Sequence, residues 1–147
     1  MARRVFFSFH YQNDIFRVNQ VRKAHVFEGC AAAGFQDASL WEEAKKKGDD
    51  TVKRLIEDGL KNTTVTVVLI GSETSKRKFV GYEIEKSIAR GNGLLGIYVH
   101  NLKDPRTGTS QKGAIPQSLV DAKANVYEWD ADKFGDWVEA AAKKAGK

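Results

Sequence analysis

The segment of residues 64–71 constrains the fold of this chain more than any other. It reads Thr-Val-Thr-Val-Val-Leu-Ile-Gly, a β-branched and apolar run bounded by polar residues and glycine, which is typical of a strand buried on both faces of a sheet. The next segment carries Val80, Ile84 and Ile88 at helical spacing and ends at Gly91. A buried strand followed by an amphipathic helix predicts a parallel α/β sheet with this strand at its centre.

Strand and helix patterns alternate along the rest of the chain. Further strands are predicted at residues 5–9, 93–100 and 125–129, and within residues 30–40, where the residues are small and carry little pattern. Further helices are predicted at residues 14–28, from 49 or 50 to 60, and from 134 to 141. Parallel strands need crossover connections, which place helices on both faces. The sequence therefore predicts a three-layer α/β sandwich with a central, mostly parallel five-stranded sheet, built by residues 1–147 as a single domain.

Polar residues stand where two of these helices are expected to begin. Asp49 or Asp50 precedes the apolar positions of the second helix. Ser72, Thr74 or Ser75 precedes those of the third. Side-chain oxygens of these residue types cap helix N-termini, so each set predicts a helix start.

Composition narrows the classes of function. The single cysteine, Cys30, has no partner at metal-ligand spacing, and the histidines His10, His25 and His100 are scattered, so neither a disulfide nor a metal site is expected. The net charge of +5 comes from segments that mix acidic and basic residues, which disfavours nucleic-acid binding. The N-terminal apolar run is too short for a signal peptide, and no stretch approaches the ~18 apolar residues of a membrane span. We therefore expect a cytoplasmic protein that does not bind a membrane.

Several common catalytic motifs are missing from the sequence. There is no glycine-rich dinucleotide or P-loop signature, and no Gly-x-Ser-x-Gly elbow. The first strand ends in Phe7-Ser-Phe-His, so the acidic pair that binds magnesium in response regulators is also lacking. These absences argue against kinases, dehydrogenases, α/β-hydrolases and response regulators.

Two glutamates of the third helix are candidates for a functional carboxylate. In a parallel α/β sheet, a helix that follows a strand begins at the carboxyl edge, where ligands bind. At about 100° per residue, Glu83 and Glu85 flank Ile84 on opposite sides, so spacing alone lets either line a crevice or remain solvated. The segment of residues 101–113 is rich in polar residues and glycine and is predicted to be a loop, and its length indicates a functional role rather than a simple connector.

A set of segments spread over nearly the whole chain carries a resemblance to a known family. These are Phe7-Ser-Phe-His-Tyr, Trp41, Gly48-Asp, Thr66-Val-Val-Leu-Ile-Gly, Thr74, Arg77, Phe79-Val-Gly-Tyr-Glu-Ile and Gly93-Leu-Leu-Gly-Ile. Together they resemble TIR domains, and most closely the TIR-like family of bacteria and archaea found in the sensor proteins of Thoeris antiphage systems. The resemblance implies a flavodoxin-like, TIR-like fold.

The resemblance also implies an activity and its residues. Phe79-Val-Gly-Tyr-Glu83 stands where catalytic TIR domains carry a tryptophan-cysteine-x-x-glutamate motif, so Glu83 rather than Glu85 is implied as the catalytic acid. The implied reaction cleaves the nicotinamide–ribose bond of NAD and produces a cyclic ADP-ribose signal that activates a partner effector in antiphage defence. NAD is then a substrate, and no cofactor is expected. The candidate substrate-binding residues are Ser8, Phe9, His10, Trp41, Thr74, Arg77 and Tyr82. Among them, Phe9, Trp41 and Tyr82 are candidate aromatic walls that keep water out during cyclisation.

The chain departs from the family pattern at several positions. Phe79 and Val80 replace the motif tryptophan and cysteine. His10 and Tyr11 stand where many relatives carry an arginine that contacts the phosphates. The phosphate contact is therefore assigned to either His10 or Arg77. Trp41 is either a core aromatic or a ligand contact.

The missing motif residues and the missing arginine favour an alternative, a non-catalytic TIR-like interaction module that uses its helix faces and residues 35–50. A nucleoside-processing enzyme is a third hypothesis, and it would need a second carboxylate near the first.

The family also implies two kinds of partner besides NAD and the effector. TIR enzymes often build their site between two protomers, so self-association is expected. A phage-derived trigger is expected as well, and the isolated protein can therefore appear inert.

Overall fold

The central parallel sheet predicted from the sequence is confirmed. The computed structural model of the protein describes residues 3–23, 30–33, 44 and 46–147. Its strands are β1 (Arg3–Ser8), β2 (Cys30–Ala33), β3 (Val65–Ile70), β4 (Gly93–Tyr98) and β5 (Asn125–Glu128). They form a five-stranded sheet in the order β2-β1-β3-β4-β5, and each neighbouring pair is parallel. The strand predicted from residues 64–71 lies at its centre.

Helices cover both faces of this sheet. They are α1 (Tyr11–Lys23), α2 (Asp49–Leu60), α3 (Lys78–Arg90), α4 (Gln117–Asp121) and α5 (Phe134–Lys144), and a short 3-10 turn, Thr74–Lys76, precedes α3. Val5 and Phe7 of β1 belong to the apolar cluster that holds the buried side chains of α1 and α5. Phe6 packs instead with buried side chains of α2. This alternation gives the predicted three layers, because successive side chains of a strand point to opposite faces.

The apolar face of α3 differs from the predicted one at its end. Val80 and Ile84 are buried, but Ile88 is 48% exposed and Ser87 is buried instead. Eight residues at about 100° each end about 80° beyond two full turns, so a spacing of exactly four drifts off the buried face. The buried Ser87 hydroxyl donates to the Glu83 carbonyl at 2.7 Å and lies 2.6 Å from the Thr66 hydroxyl, which satisfies its polar atoms.

The predicted helix caps are wrong. Helix α2 follows Gly48, whose φ of 110° suits glycine, and Asp49 and Asp50 occupy the first turn, where a carboxylate stabilises the helix dipole. The residue that precedes α3 is Arg77, and it makes no side-chain capping bond. The intervening 3-10 turn moves the helix start away from Thr74, whose hydroxyl accepts the Gly71 N–H at 2.8 Å instead.

Other boundaries changed by a few residues. Helix α1 begins at Tyr11 rather than residue 14, and residues 24–28 of its predicted span lie outside the described part of the chain. The short helix α4 was not predicted, because five residues are too few to display a helical period, although Leu119 is fully buried. None of the helices in the described residues combines the length and the apolar character needed to cross a membrane.

Candidate active site

The order of the strands places a topological switch point at the carboxyl edge of the sheet, where a ligand crevice is expected. The chain leaves β1 toward β2 on one side and leaves β3 toward β4 on the other, so the connections diverge between β1 and β3. Such a switch point is the usual ligand site of a sheet with this order. Ser8 ends β1 and pairs with Val68 of β3, and Gly71 follows β3 directly. Side chains near Ser8 and Gly71 therefore line the candidate site.

Glu83 lies at this crevice, in the second turn of α3. Its side chain is 5% exposed, and the Ser8 hydroxyl donates a hydrogen bond of 3.1 Å to its Oε1. Burial raises the pKa of Glu83 to about 8, while the charge of Arg77 and the Ser8 hydrogen bond act in the opposite direction. Glu85, in contrast, is exposed. Of the two glutamates that spacing left open, Glu83 is the one placed at the end of β1.

Arg77 connects the start of α3 to the end of β1. Its Nη1 donates a hydrogen bond to the Phe9 carbonyl, and its side chain is half-buried. Burial lowers the pKa of Arg77, and the nearby Glu83 raises it. A guanidinium is charged at any physiological pH, so Arg77 brings a positive charge beside the buried carboxyl.

His10 follows β1 and lies at the start of α1. Its side chain is half-buried, and its carbonyl accepts the Asp14 N–H at 2.9 Å. Burial and the charge of Arg77 lower the pKa of His10, while Asp14 and Glu73 raise it to a lesser degree. Since the ordinary pKa is already about 6.5, the imidazole is neutral near pH 7.

The remaining predicted site residues have other surroundings. The Phe9 ring is 9% exposed and packs in the apolar core, so Phe9 reaches the site through its carbonyl. Thr74 is fully buried and bonds the backbone N–H of Gly71. The Tyr82 hydroxyl donates to Glu57 of α2 at 3.1 Å. Trp41 lies outside the described residues, as do residues 35–43 of the segment assigned to an interaction surface.

The structure adds a second buried carboxyl that the sequence reasoning had treated only as part of a helix. Asp14 is 1% exposed, and its Oδ1 accepts a 2.8 Å hydrogen bond from Arg17 Nη1. Its Oδ2 is buried without a hydrogen-bond partner among the described residues, and a Cβ atom built on Gly71 would lie 2.2 Å from it. The aspartate and arginine are three residues apart on one helix, a spacing that typically forms ion pairs and was the available signal.

Two further observations concern a possible metal site and a second groove. Within the described residues, no group of three or more His, Cys, Asp or Glu side chains is arranged to hold a metal ion. A groove of about 610 Å³ lies where α3, α4 and α5 meet the start of β4, and Glu85 and Ile88 line it. Glu83 is not among its lining residues, so this groove is distinct from the crevice at the carboxyl edge.

Comparison with known proteins decides the family. The family model described as "Thoeris protein ThsB, TIR-like domain" matches residues 6–104. The chain belongs to this ThsB TIR-like family. The matched region includes Ser8, His10, Arg77 and Glu83, and the resemblance read from the sequence is confirmed. A relative from Bacillus cereus (strain MSX-D12), named "Putative cyclic ADP-D-ribose synthase ThsB1", is 49% identical over 150 residues, which cover 96% of this chain and 78% of the relative.

Proposed function

We propose that this ThsB-family protein cleaves the nicotinamide–ribose bond of NAD and closes the ADP-ribose product into a cyclic signal, which activates a partner effector in antiphage defence. The observation that carries the proposal is the buried Glu83, bonded to Ser8 at the β1/β3 switch point. Support also comes from the relative that is named as a synthase of cyclic ADP-D-ribose. NAD is the substrate, no cofactor takes part, and the reaction occurs in the cytoplasm.

The first step needs a negative charge beside the ribose. When the bond from the ribose carbon to the nicotinamide nitrogen breaks, its electron pair leaves with neutral nicotinamide, and the ribose becomes oxocarbenium-like. A preorganised carboxylate stabilises that charge. Without substrate, the pKa of about 8 keeps Glu83 mostly protonated at pH 7. The positively charged nicotinamide ring of bound NAD favours the ionised form, so substrate binding itself prepares the catalytic carboxylate.

The phosphates of NAD need a cation, and the local charges favour Arg77 for this role. The sequence left His10 and Arg77 as alternatives. Burial and the neighbouring guanidinium lower the pKa of His10, so its imidazole is neutral and can supply only a hydrogen bond. Arg77 keeps its charge and is held toward the end of β1 by its bond to the Phe9 carbonyl. We assign the phosphate contact to Arg77 and a neutral hydrogen bond to His10.

The other predicted binding residues contribute less directly in this proposal. Ser8 orients Glu83, Phe9 anchors Arg77, and Thr74 fixes the turn that leads to Arg77. Tyr82 and Trp41 remain proposed aromatic walls for the substrate. Self-association and a phage-derived trigger are the proposed conditions under which the site becomes active.

The burial of Glu83 favours catalysis over the alternative of a non-catalytic interaction module. An exposed Glu83 would carry no desolvation cost, and it would fit a non-catalytic interaction module. A carboxyl with its pKa raised by burial destabilises the folded protein at neutral pH, and such costs concentrate at functional sites.

The test is the conversion of NAD by the protein in lysate from phage-infected cells, followed by chromatography and mass spectrometry. The Glu83→Gln variant removes the charge with little change in shape, and Glu85→Gln makes the same change at an exposed position of the same helix. A cyclic ADP-ribose species or free ADP-ribose is expected from the original protein and from Glu85→Gln, but not from Glu83→Gln.

Two results would contradict the proposal. Unchanged NAD with folded protein and several phages would favour the interaction module. Product formation that persists in Glu83→Gln would assign the chemistry to another residue.

A further inference from the structure

A buried arginine fastens the carboxyl-edge loop, residues 101–113, to helix α1. Arg17 is 2% exposed, and its Nε and Nη2 donate to the carbonyls of Leu102 at 2.8 Å and Gly108 at 2.7 Å. Its Nη1 donates to Asp14 Oδ1 at 2.8 Å. A guanidinium is tolerated in a protein interior only when it is paired and hydrogen-bonded. The position of Arg17 therefore depends on the loop, and the position of the loop depends on Arg17.

The loop has internal order that suits this attachment. The N–H of Asp104 donates to the Gly108 carbonyl at 2.9 Å, and the N–H of Gly108 donates to the Asp104 carbonyl at 2.7 Å. The Asp104 carboxyl is buried and accepts hydrogen bonds from Arg106. Gln20 of α1 adds a 2.6 Å bond to the Lys103 carbonyl. These hydrogen bonds hold residues 102–108 in a defined turn.

The far end of the loop touches the candidate active site. A Cβ atom on Gly113 would lie 2.0 Å from the Gly71 carbonyl oxygen, so the loop passes directly over the residue that follows β3. The Gly71 N–H bonds to Thr74, and the Thr74 carbonyl accepts the N–H of Arg77 at 3.2 Å. Direct contacts thus run from the loop to Arg77, which acts electrostatically on Glu83.

Asp14 reaches the same place from the other side. Its Oδ2 lies against Gly71, and its N–H donates to the His10 carbonyl. The Asp14–Arg17 pair therefore contacts the end of β1, the end of β3 and the loop together.

We propose that Asp14 and Arg17 are positioning residues that hold residues 101–113 as a wall of the β1/β3 crevice, and that this wall keeps water from the ribose cation so that cyclisation exceeds hydrolysis. The inference rests on the proposed function. In both outcomes the ribose–nicotinamide bond breaks and its electron pair leaves with nicotinamide. In cyclisation a hydroxyl oxygen of the same ADP-ribose forms the new C–O bond, and its proton goes to solvent. In hydrolysis a water oxygen forms the bond and loses the proton.

When residues 101–113 are no longer held in place, the share of linear ADP-ribose in the product should increase. An oriented hydroxyl of the same molecule outcompetes water only while the geometry is kept and the site stays dry. Lysine keeps the charge of Arg17 but lacks the planar fork that bonds three acceptors at once. Arg17→Lys should therefore free the loop, whereas the Ser8–Glu83 and Arg77–Phe9 hydrogen bonds do not involve Arg17 and should persist.

The experiment measures the ratio of cyclic to linear ADP-ribose made from NAD in infected-cell lysate. We expect Arg17→Lys to lower this ratio by about tenfold or more, with total NAD cleavage continuing. A purely structural loss would reduce both products in proportion and leave the ratio unchanged. Arg90→Lys, the same exchange at an exposed position of α3, is the matched control and should keep the original ratio.

A second variant and a second readout test the loop itself. Gly113→Ala forces the loop away from Gly71 without touching Arg17, and it should lower the product ratio in the same direction. Amide hydrogen exchange should be faster across residues 101–113 in Arg17→Lys than in Arg90→Lys, whether or not NAD is converted.

The outcomes separate the inference from the proposed function. Cleavage of NAD with an unchanged product ratio in both folded variants would overturn the inference and leave the function standing. Unchanged exchange in the loop of Arg17→Lys would overturn it as well. Absence of any NAD product from the original protein would overturn the proposed function, and the role of the wall in product choice would fall with it.

Discussion

The two buried carboxyls beside the β1/β3 crevice differ in what satisfies them. Glu83, on the α3 side, accepts a hydrogen bond from the neutral hydroxyl of Ser8. Asp14, on the α1 side, is bonded to the charged guanidinium of Arg17. Burial raises the pKa of both groups, and in each case a neighbouring arginine lowers it in part.

Under the proposed function, Glu83 takes part in the chemistry, whereas Asp14 stabilises the arrangement of the surrounding elements. The bond between Asp14 and Arg17 is buried together with two further bonds from the same guanidinium to the loop, so a change at either residue disturbs several elements. Among the described residues, the Glu83 side chain has one hydrogen bond, from Ser8, and its burial raises the pKa of the carboxyl. Removal of the Asp14 carboxyl should therefore weaken the protein, whereas replacement of Glu83 by glutamine should not.

The largest expected effect on stability comes from Asp14→Ala. The change leaves Arg17 buried without its carboxylate, and breaking a buried ion pair in this way costs about 3–5 kcal/mol. The free energy of unfolding, measured in urea at pH 7, should fall by that amount. Asp58→Ala, which removes the exposed partner of Lys61, is the control and should cost less than about 1 kcal/mol. Equal losses in the two variants would show that Asp14 carries no special structural role.

A smaller effect, with a distinctive pH dependence, is expected from Glu83→Gln. The pKa of Glu83 is about 8 in the folded protein and 4.5 in the reference state, so the folded state binds more protons between these values. The contribution of Glu83 to stability is therefore greatest below pH 4.5 and is lost as the pH rises through about 8. The loss amounts to about 1.4 kcal/mol per pH unit at most, and to a few kcal/mol in total.

Unfolding in urea at pH 5 and at pH 8 checks this sign. Glu83→Gln should gain stability relative to the original protein as the pH increases, because glutamine has no proton to lose. Glu85→Gln, at an exposed position, should stay within about 0.5 kcal/mol of the original at both values. If Glu83→Gln instead loses stability relative to the original protein as the pH rises, the Glu83 carboxyl is not held protonated by burial.

The sequence was sufficient for the sheet because each central strand carries its own signal. Residues 64–71 and 93–100 are apolar runs bounded by polar residues or glycine, and burial on both faces requires that pattern. The end of α3 was predicted less well, because Ile88 matches a spacing of four residues while the helix turns every 3.6. Local pattern thus determines which elements form, and exact geometry determines which side chains they bury.

The sequence predicted only part of the candidate site, because exact geometry also determines which side chains meet there. Spacing placed Glu83 and Glu85 equally well, and the family motif was needed to choose between them. Nothing local reveals that Ser8 bonds to a residue 75 positions away, or that Arg17 bonds to Gly108 across 91 positions. Such contacts depend on how strands and loops meet at the sheet edge, and that is a property of the assembled fold.

The smallest effect is expected from Gly71→Ala, which tests how closely Asp14 is held. A Cβ atom at this position would lie 2.2 Å from Asp14 Oδ2, so either the carboxyl or the end of β3 must move. Overpacking of this kind costs about 1–3 kcal/mol. Gly81→Ala on α3 is the matched control, because its Cβ would meet only the Ser118 hydroxyl at 3.9 Å and alanine favours the helix, so it should add up to about 1 kcal/mol.

The double variant Asp14→Ala with Gly71→Ala identifies the clashing atom. If Asp14 is the obstacle, the cost of Gly71→Ala should largely disappear once the carboxyl is gone, and the double-variant cycle should show a coupling of about 1 kcal/mol or more. If the two costs simply add, the alanine methyl must clash with other atoms near the end of β3. In that case Asp14 moves without penalty, and Arg17 alone holds the loop through its bonds to the carbonyls of Leu102 and Gly108.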